Sequence, residues 1–182
     1  MENGVRLAMD VMYVQSIMFL VTTSIGIGLI TVSYLPTRQK KDLYSALDSV
    51  LRLYNKQSLK IKEITADQEF KFAKDVLTNM DINFVPVLAG KHQPHVERTI
   101  RTLKEHYRSM YHQLPFKSMP RLMIVKGAQE CARWLNSFPS EHGYQNISPR
   151  TLITGVELDY RIHCQHSFGS YVQTHQETRL KT

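Results

Sequence analysis

The sequence predicts an α/β domain in which one central, mixed five-stranded sheet is flanked by helices. Two patterns carry this expectation. Three short runs rich in β-branched and aromatic residues come in succession, and further runs then alternate with stretches whose apolar residues recur every three or four positions. A long amphipathic stretch and another helical one follow. With 182 residues, 42% of them hydrophobic and 21% charged, the chain has material for one sizeable core.

The elements follow in order. Leu7–Val14 reads as a first strand interrupted by Asp10, with Met18–Thr23 and Leu29–Tyr34 as the next two strands of an antiparallel meander. Thr37 is a candidate N-cap for a helix over about 38–56, because Leu43, Leu47, Val50, Leu51 and Tyr54 fall on one face. Leu59–Ala66 reads as the fourth strand, its apolar alternation running through Leu59 and Ile61 and then slipping to Ile64. Phe70, Ala73, Val76 and Leu77 mark a short second helix, and Ile82–Leu88 a fifth strand in which Pro86 signals an edge or bulge. Beyond a loop at Ala89–Pro94, a stripe of Val96, Ile100, Leu103, Tyr107, Met110 and Leu114 predicts the longest helix, ended by Pro115. Another helix is expected from about Pro120 to Phe138, with Trp134 in core or interface packing. The remainder reads as irregular, with one late strand at Phe168–Val172. The core is therefore placed at residues 1–139, with an irregular C-terminal extension over 140–182.

The net charge of +7 favours polyanionic partners without choosing among DNA, RNA and anionic lipid. Residues 11–37 carry no charged side chain, which raises a membrane span as a rival. The polar residues Gln15, Thr22, Thr23 and Ser24, the central Gly26 and Gly28, and the shortness of the flanking runs favour buried strands instead. Glu2, Arg6 and Asp10 speak against a secretory signal, so a nuclear or cytoplasmic protein is expected. Cys131 and Cys164 are too few for a disulfide framework.

Three carboxylates stand at unusual places. Asp10 interrupts an apolar strand, where an unpaired charge is expensive. Asp67 ends the fourth strand and Glu97 opens the long helix. This strand and helix order is that of the ribonuclease H-like fold, in which strands one and four are neighbours and the long helix packs beside them. Carboxylates from these places can converge on Mg²⁺ or Mn²⁺, and a pair of such ions roughly 3.5–4 Å apart suits phosphodiester chemistry. Ordinary roles compete: Asp67 as a helix cap, Glu97 as a complement to the helix dipole, and Asp10 at the end of a surface strand. Glu69 and Asp75 are assigned to a solvated face.

At these residues the chain resembles retrotransposon integrases of the Ty1/copia type. Ala66-Asp67-Gln68-Glu69-Phe70 resembles a shortened form of that family's second-Asp segment, and His95-Val96-Glu97-Arg98 its Glu-Arg motif. Asp10 and Asp67 are 57 residues apart, and Asp67 and Glu97 are 30 apart, close to family spacing. The stretches Leu114-Pro115-Phe116, Ala132-Arg133-Trp134-Leu135-Asn136, Ser148-Pro149-Arg150 and Phe168-Gly169-Ser170-Tyr171-Val172 are similar to the family's continuation. The family's glycine-rich segment after the second Asp is absent, as is its glycine before the Glu-Arg motif. Its zinc-binding region, which would precede Asp10, is also missing, and neither His92-Gln93-Pro94-His95 nor His163-Cys164-Gln165-His166 replaces it.

The resemblance implies metal-dependent DNA strand transfer, with Asp10, Asp67 and Glu97 holding Mg²⁺ or Mn²⁺. It also implies DNA (element ends and target) as partner, a homo-oligomer, no membrane, and a chain that is a fragment, degenerate copy or domesticated remnant of a polyprotein. Arg98, Arg101, Lys104 and Arg108, off the apolar stripe of the long helix, are candidate DNA-phosphate contacts or else a solvated face. Two alternatives stay open: a catalytically dead ribonuclease H-like module that binds nucleic acid or protein, and a small membrane protein anchored through residues 11–36.

Overall fold

The computed structural model describes residues 4–88, 93–140 and 146–171. Strands β1 (Val5–Val14), β2 (Ile17–Ile25) and β3 (Ile30–Leu35) lead into helix α1 (Lys40–Lys56) and strand β4 (Ile61–Asp67). A 3-10 segment, Gln68–Ala73, runs into α2 (Lys74–Asn79), and β5 (Asn83–Val87), α3 (Pro94–Gln113) and α4 (Arg121–Leu135) follow. Two short helices, α5 (Pro149–Thr154) and α6 (Tyr160–His163), complete the described elements. The five strands form one mixed sheet in the order β3-β2-β1-β4-β5. β1 to β3 form an antiparallel meander, and β1–β4 and β4–β5 are parallel.

The meander turns tightly. Gln15 and Ser16 link β1 to β2 with φ of 45° and 63°, the doubly left-handed geometry that matches strand twist in a two-residue hairpin. Gly26 and Gly28, at φ 94° and 78°, take the second corner, as their lack of a Cβ allows. The uncharged stretch 11–36 is therefore strand and turn within the sheet. Among the described residues no helix is long and apolar enough to cross a membrane.

Alternation along β1 feeds two cores. Leu7 and Met9 face α1, joining Leu43, Leu47, Leu51 and Tyr54. Ala8, Met12 and Val14 face the other way, joining Val96, Leu103 and Tyr107 of α3 and Ile124 and Ala128 of α4. Each such large apolar side chain, fully buried, contributes roughly 1.5–3 kcal/mol before entropy is counted. The apolar slip between Ile61 and Ile64 is a β-bulge: Val5 pairs with Ile61 and Arg6 with Glu63, skipping Lys62. Pro86 lies on β5, an edge strand.

Some expectations shift. The first helix begins at Lys40 with Gln39 as N-cap, and Thr37 acts one turn earlier, its hydroxyl accepting from the Gln39 N–H at 3.1 Å. The long helix starts at Pro94, whose missing N–H suits the first turn. It stops at Gln113 because Leu114, before Pro115, is pushed to an extended ψ of 143°. No strand forms over the described residues 168–171. Gly169, at φ 82°, turns the chain there, and the Ser170 N–H donates to the Ser167 carbonyl; Val172 lies outside the described residues. Within the extension, Ile153 of α5 is buried in the core on the α1 side.

β3 forms the opposite edge, and Asn136, just past α4, clamps it. Its side-chain oxygen accepts from the Ile30 N–H at 2.8 Å and its amide donates to the Ile30 carbonyl at 2.7 Å. Asn136→Ala leaves both backbone groups without these partners and is expected to lower the unfolding free energy by about 1–3 kcal/mol in urea denaturation.

Candidate active site

Asp10 and Asp67 each lie one residue beyond Met9 and Ala66, the last aligned pair of β1 and β4. Asp10 sits between Ala8 and Met12, which both face α3 and α4, so it belongs to that side of the sheet. Asp67 lies two residues past Thr65, the partner of Ala8, and shares that face. Helix α3 packs across β1 and β2 on the same side. Its Val96 is fully buried there, and the adjacent Glu97 is exposed in the first turn. The fold thus brings all three carboxylates to one end of one sheet face.

Electrostatics ties them together. Burial pushes the half-buried Asp10 carboxyl above the usual Asp range. The Val11 N–H, donating to it at 2.6 Å, works against that rise, while the charges of Asp67, Glu69 and Glu97 add to it. Like charges that must share a site disfavour one another's ionised forms. Two of the carboxylates also have structural work. Asp67 caps the 3-10 segment by accepting from the Gln68 N–H at 2.5 Å. Glu97 accepts from the Gln93 N–H at 2.9 Å, closing the start of α3.

The donor set is all oxygen, which suits Mg²⁺. Yet among the described residues no three His, Cys, Asp or Glu side chains gather closely enough to hold a metal ion. Asp10, Asp67 and Glu97 are electrostatic neighbours here rather than a closed ligand cluster. Of the histidine segments, His92 lies outside the described residues, and Cys131 and Cys164 are free, Cys131 being buried.

Glu69 is the residue that sequence reasoning missed. Expected on a solvated face, it is only 23% exposed and pairs with Arg38 at 2.7 Å while bearing on Asp10. Its place two residues after Asp67 was the available signal, since a 3-10 turn carries it back beside the strand end.

The basic residues are where the helical period puts them. Arg101, Lys104 and Arg108 stand four, seven and eleven residues beyond Glu97, on the same side of α3, with Arg98 beside them. Arg98, Arg101 and Arg108 are exposed and Lys104 is half-buried. The stripe begins at the carboxylates and ends in a groove against the β1–β2 turn, lined by Tyr13, Gln15, Lys104, Tyr107, Arg108 and Tyr111.

Asp10→Asn removes a charge that is desolvated and repelled. The wild-type group has its folded pKa raised, so its contribution is most favourable at low pH and is lost as pH rises through that folded value. The variant is expected to unfold at higher urea than wild type at pH 7.5, with the gap narrowing towards pH 4.

No protein-family model matches the chain, and no curated protein matches it. Solved structures do. The catalytic core domain of BIV integrase superposes with a TM-score of 0.62 at 13% identity, over 82% of this chain and 93% of that one. The HTLV-2 integrase catalytic core domain, in complex with magnesium and in a trimeric form, superposes with a TM-score of 0.59 at 17% identity, over 81% of this chain and 95% of that one. The chain therefore has the ribonuclease H-like fold of integrase catalytic cores.

Proposed function

We propose that the chain is an integrase-like polynucleotidyl transferase core, acting on DNA at the end of the sheet where Asp10, Asp67 and Glu97 meet. The observation that carries this is the gathering of carboxylates about Asp10: burial raises its pKa most, and the charges of Asp67, Glu69 and Glu97 add to the rise, an arrangement that a divalent cation would relieve. The magnesium complex of the HTLV-2 core supports the same cation here. Mg²⁺ or Mn²⁺, when bound, would activate an attacking 3′-hydroxyl and stabilise the departing oxygen in strand transfer.

The chain's own residues have separable tasks. Asp10 and Asp67, fixed on adjacent strands, give a rigid pair of donors. Glu97 rides on α3, and its bond to Gln93 ties its position to the entry of that helix. Arg98, Arg101, Lys104 and Arg108 hold backbone phosphates and set the register of DNA against the carboxylates. The Ty1/copia-type origin, an element-derived polyprotein context, a homo-oligomer, and a nuclear or cytoplasmic site of action away from membranes belong to the same reading. They rest on the sequence resemblance, and the trimeric HTLV-2 core lends support to self-association.

A second reading is favoured by a different observation. Asp67 and Glu97 are engaged as caps, and the described residues hold no closed metal-binding group. A catalytically dead module that keeps the basic helix would bind DNA without reacting.

Strand transfer on an oligonucleotide duplex with Mg²⁺ or Mn²⁺ separates the two. On the first reading wild type is active and Glu97→Gln reduces the product to background while DNA affinity stays. Folded wild type without activity but with salt-dependent DNA binding selects the dead module. For either, replacing Arg101, Lys104 and Arg108 by Gln should reduce the slope of log affinity against log salt by about 1 for each phosphate that the variant no longer neutralises.

A further inference from the structure

We infer that the cavity at the β3 edge of the sheet, walled by α4 and α5, binds a small apolar monocarboxylate whose anionic end meets the Arg150 guanidinium. The cavity is separate from the carboxylate end of the sheet, because β2 lies between β3 and the strand that carries Asp10. Its occupancy therefore does not depend on the nucleic-acid reading above.

The walls follow from the periods of the elements that build them. Ala132 and Arg133 come from α4, with Asn136 one turn further at its C-terminal end. Arg150 and Ile153, three residues apart, come from one side of α5. Leu29 and Val32 line the cavity from the edge of the sheet. Leu29 and Ile153 belong to the core on the α1 side, Val32 and Ala132 to the core on the α4 side. The cavity thus opens where the sheet ends and the two cores meet around its edge, and the surface that it offers is mainly apolar.

The frame is tied together by hydrogen bonds. The Arg150 N–H donates to the Asn136 carbonyl at 2.8 Å, which joins the start of α5 to the end of α4. The Asn136 side chain in turn holds both backbone groups of Ile30. Ser148 caps α5, its hydroxyl accepting from the Thr151 N–H at 3.1 Å.

Charge selects the ligand. Arg133 is already engaged, donating through Nε to Glu130 at 2.8 Å. Arg150 is half-buried and makes no ion pair with a described residue. Its Nη1 is shut off from solvent and has no hydrogen-bond partner among the described residues. A guanidinium stays charged at any ordinary pH, and a donor withdrawn from water without an acceptor is unfavourable. Arg150 therefore brings one uncompensated positive charge to an apolar cavity. Its complement is one negative charge on an apolar body, and a planar carboxylate suits the planar guanidinium. At about 360 Å³, the cavity lies at the low end of the roughly 300–1,000 Å³ of small-molecule sites. That size suits a body of one or two rings rather than a long lipid chain.

The test is an amide NMR titration of the isotope-labelled full chain with naphthoate, a carboxylate on two fused rings, and with its uncharged analogue naphthamide. Naphthoate is expected to bind about 10- to 100-fold more tightly, the range for a hydrogen bond to a charged group. It should shift the Ile30 backbone amide and the Asn136 side-chain amide. Arg150→Met, which removes the charge and keeps an apolar stem, should bring naphthoate down to the affinity of naphthamide and leave naphthamide unchanged. Equal binding of the two compounds by wild type overturns the inference, as does binding of neither or shifts confined to residues away from the cavity. An Arg150→Met chain that still prefers naphthoate overturns it too, since the charge is then read elsewhere. The comparison of the two compounds on wild type needs no variant, so it decides the matter even if Arg150→Met does not fold.

Discussion

The parallel pairing of β1 with β4 is the contact on which the rest of the structure depends. β1 is the middle strand of the sheet, and through β4 it joins the antiparallel meander to the parallel half. Because side chains alternate, the register of this pair decides which residues enter which core. A slip of β4 by one residue would turn Ile64 and Ala66 away from α1 and carry Asp67 to the wrong face. The bulge at Lys62 is part of the specification, since it moves the phase of β4 so that Ile61 and Ile64 both serve the α1 side. Gly4 belongs to the same device: a Cβ there would come within 2.5 Å of the Lys62 side chain.

That register also builds tension into the molecule. It fixes two aspartates on adjacent strands, and α3 delivers a third carboxylate over them. The fold tolerates this partly because backbone N–H groups take up some of the charge: Val11 for Asp10, Gln68 for Asp67 and Gln93 for Glu97. The same hydrogen bonds also orient the carboxylates. Capping and the proposed metal binding would compete for the same oxygens.

Much of the architecture was legible in the sequence because its signals are periodic. All five strands and the major helices followed from alternation and from apolar spacing, and the slip from Ile61 to Ile64 foretold the bulge. What escaped depends on local hydrogen bonds and three-dimensional return. Thr37 is a good capping residue, but Gln39 holds the cap position once Asp42 accepts from the Thr37 N–H and hydroxyl. Phe168 and Val172 have strand composition, yet Gly169 between them turns the backbone. At the site, Asp10, Asp67 and Glu97 were legible as exceptions to capping and surface statistics, and the structure makes them electrostatic neighbours without closing them into a ligand group among the described residues. Glu69 was not legible, because its role depends on Arg38 arriving from thirty-one residues away.

The two margins of the sheet have something in common. On one side β5 carries Pro86, which has no N–H to donate. On the other, the Asn136 amide occupies both backbone groups of Ile30, imitating a neighbouring strand over one residue. Neither margin offers an unbroken row of backbone donors and acceptors to a passing chain. Edge-to-edge growth of the sheet is thereby interrupted at both margins, at Ile30 and at Pro86.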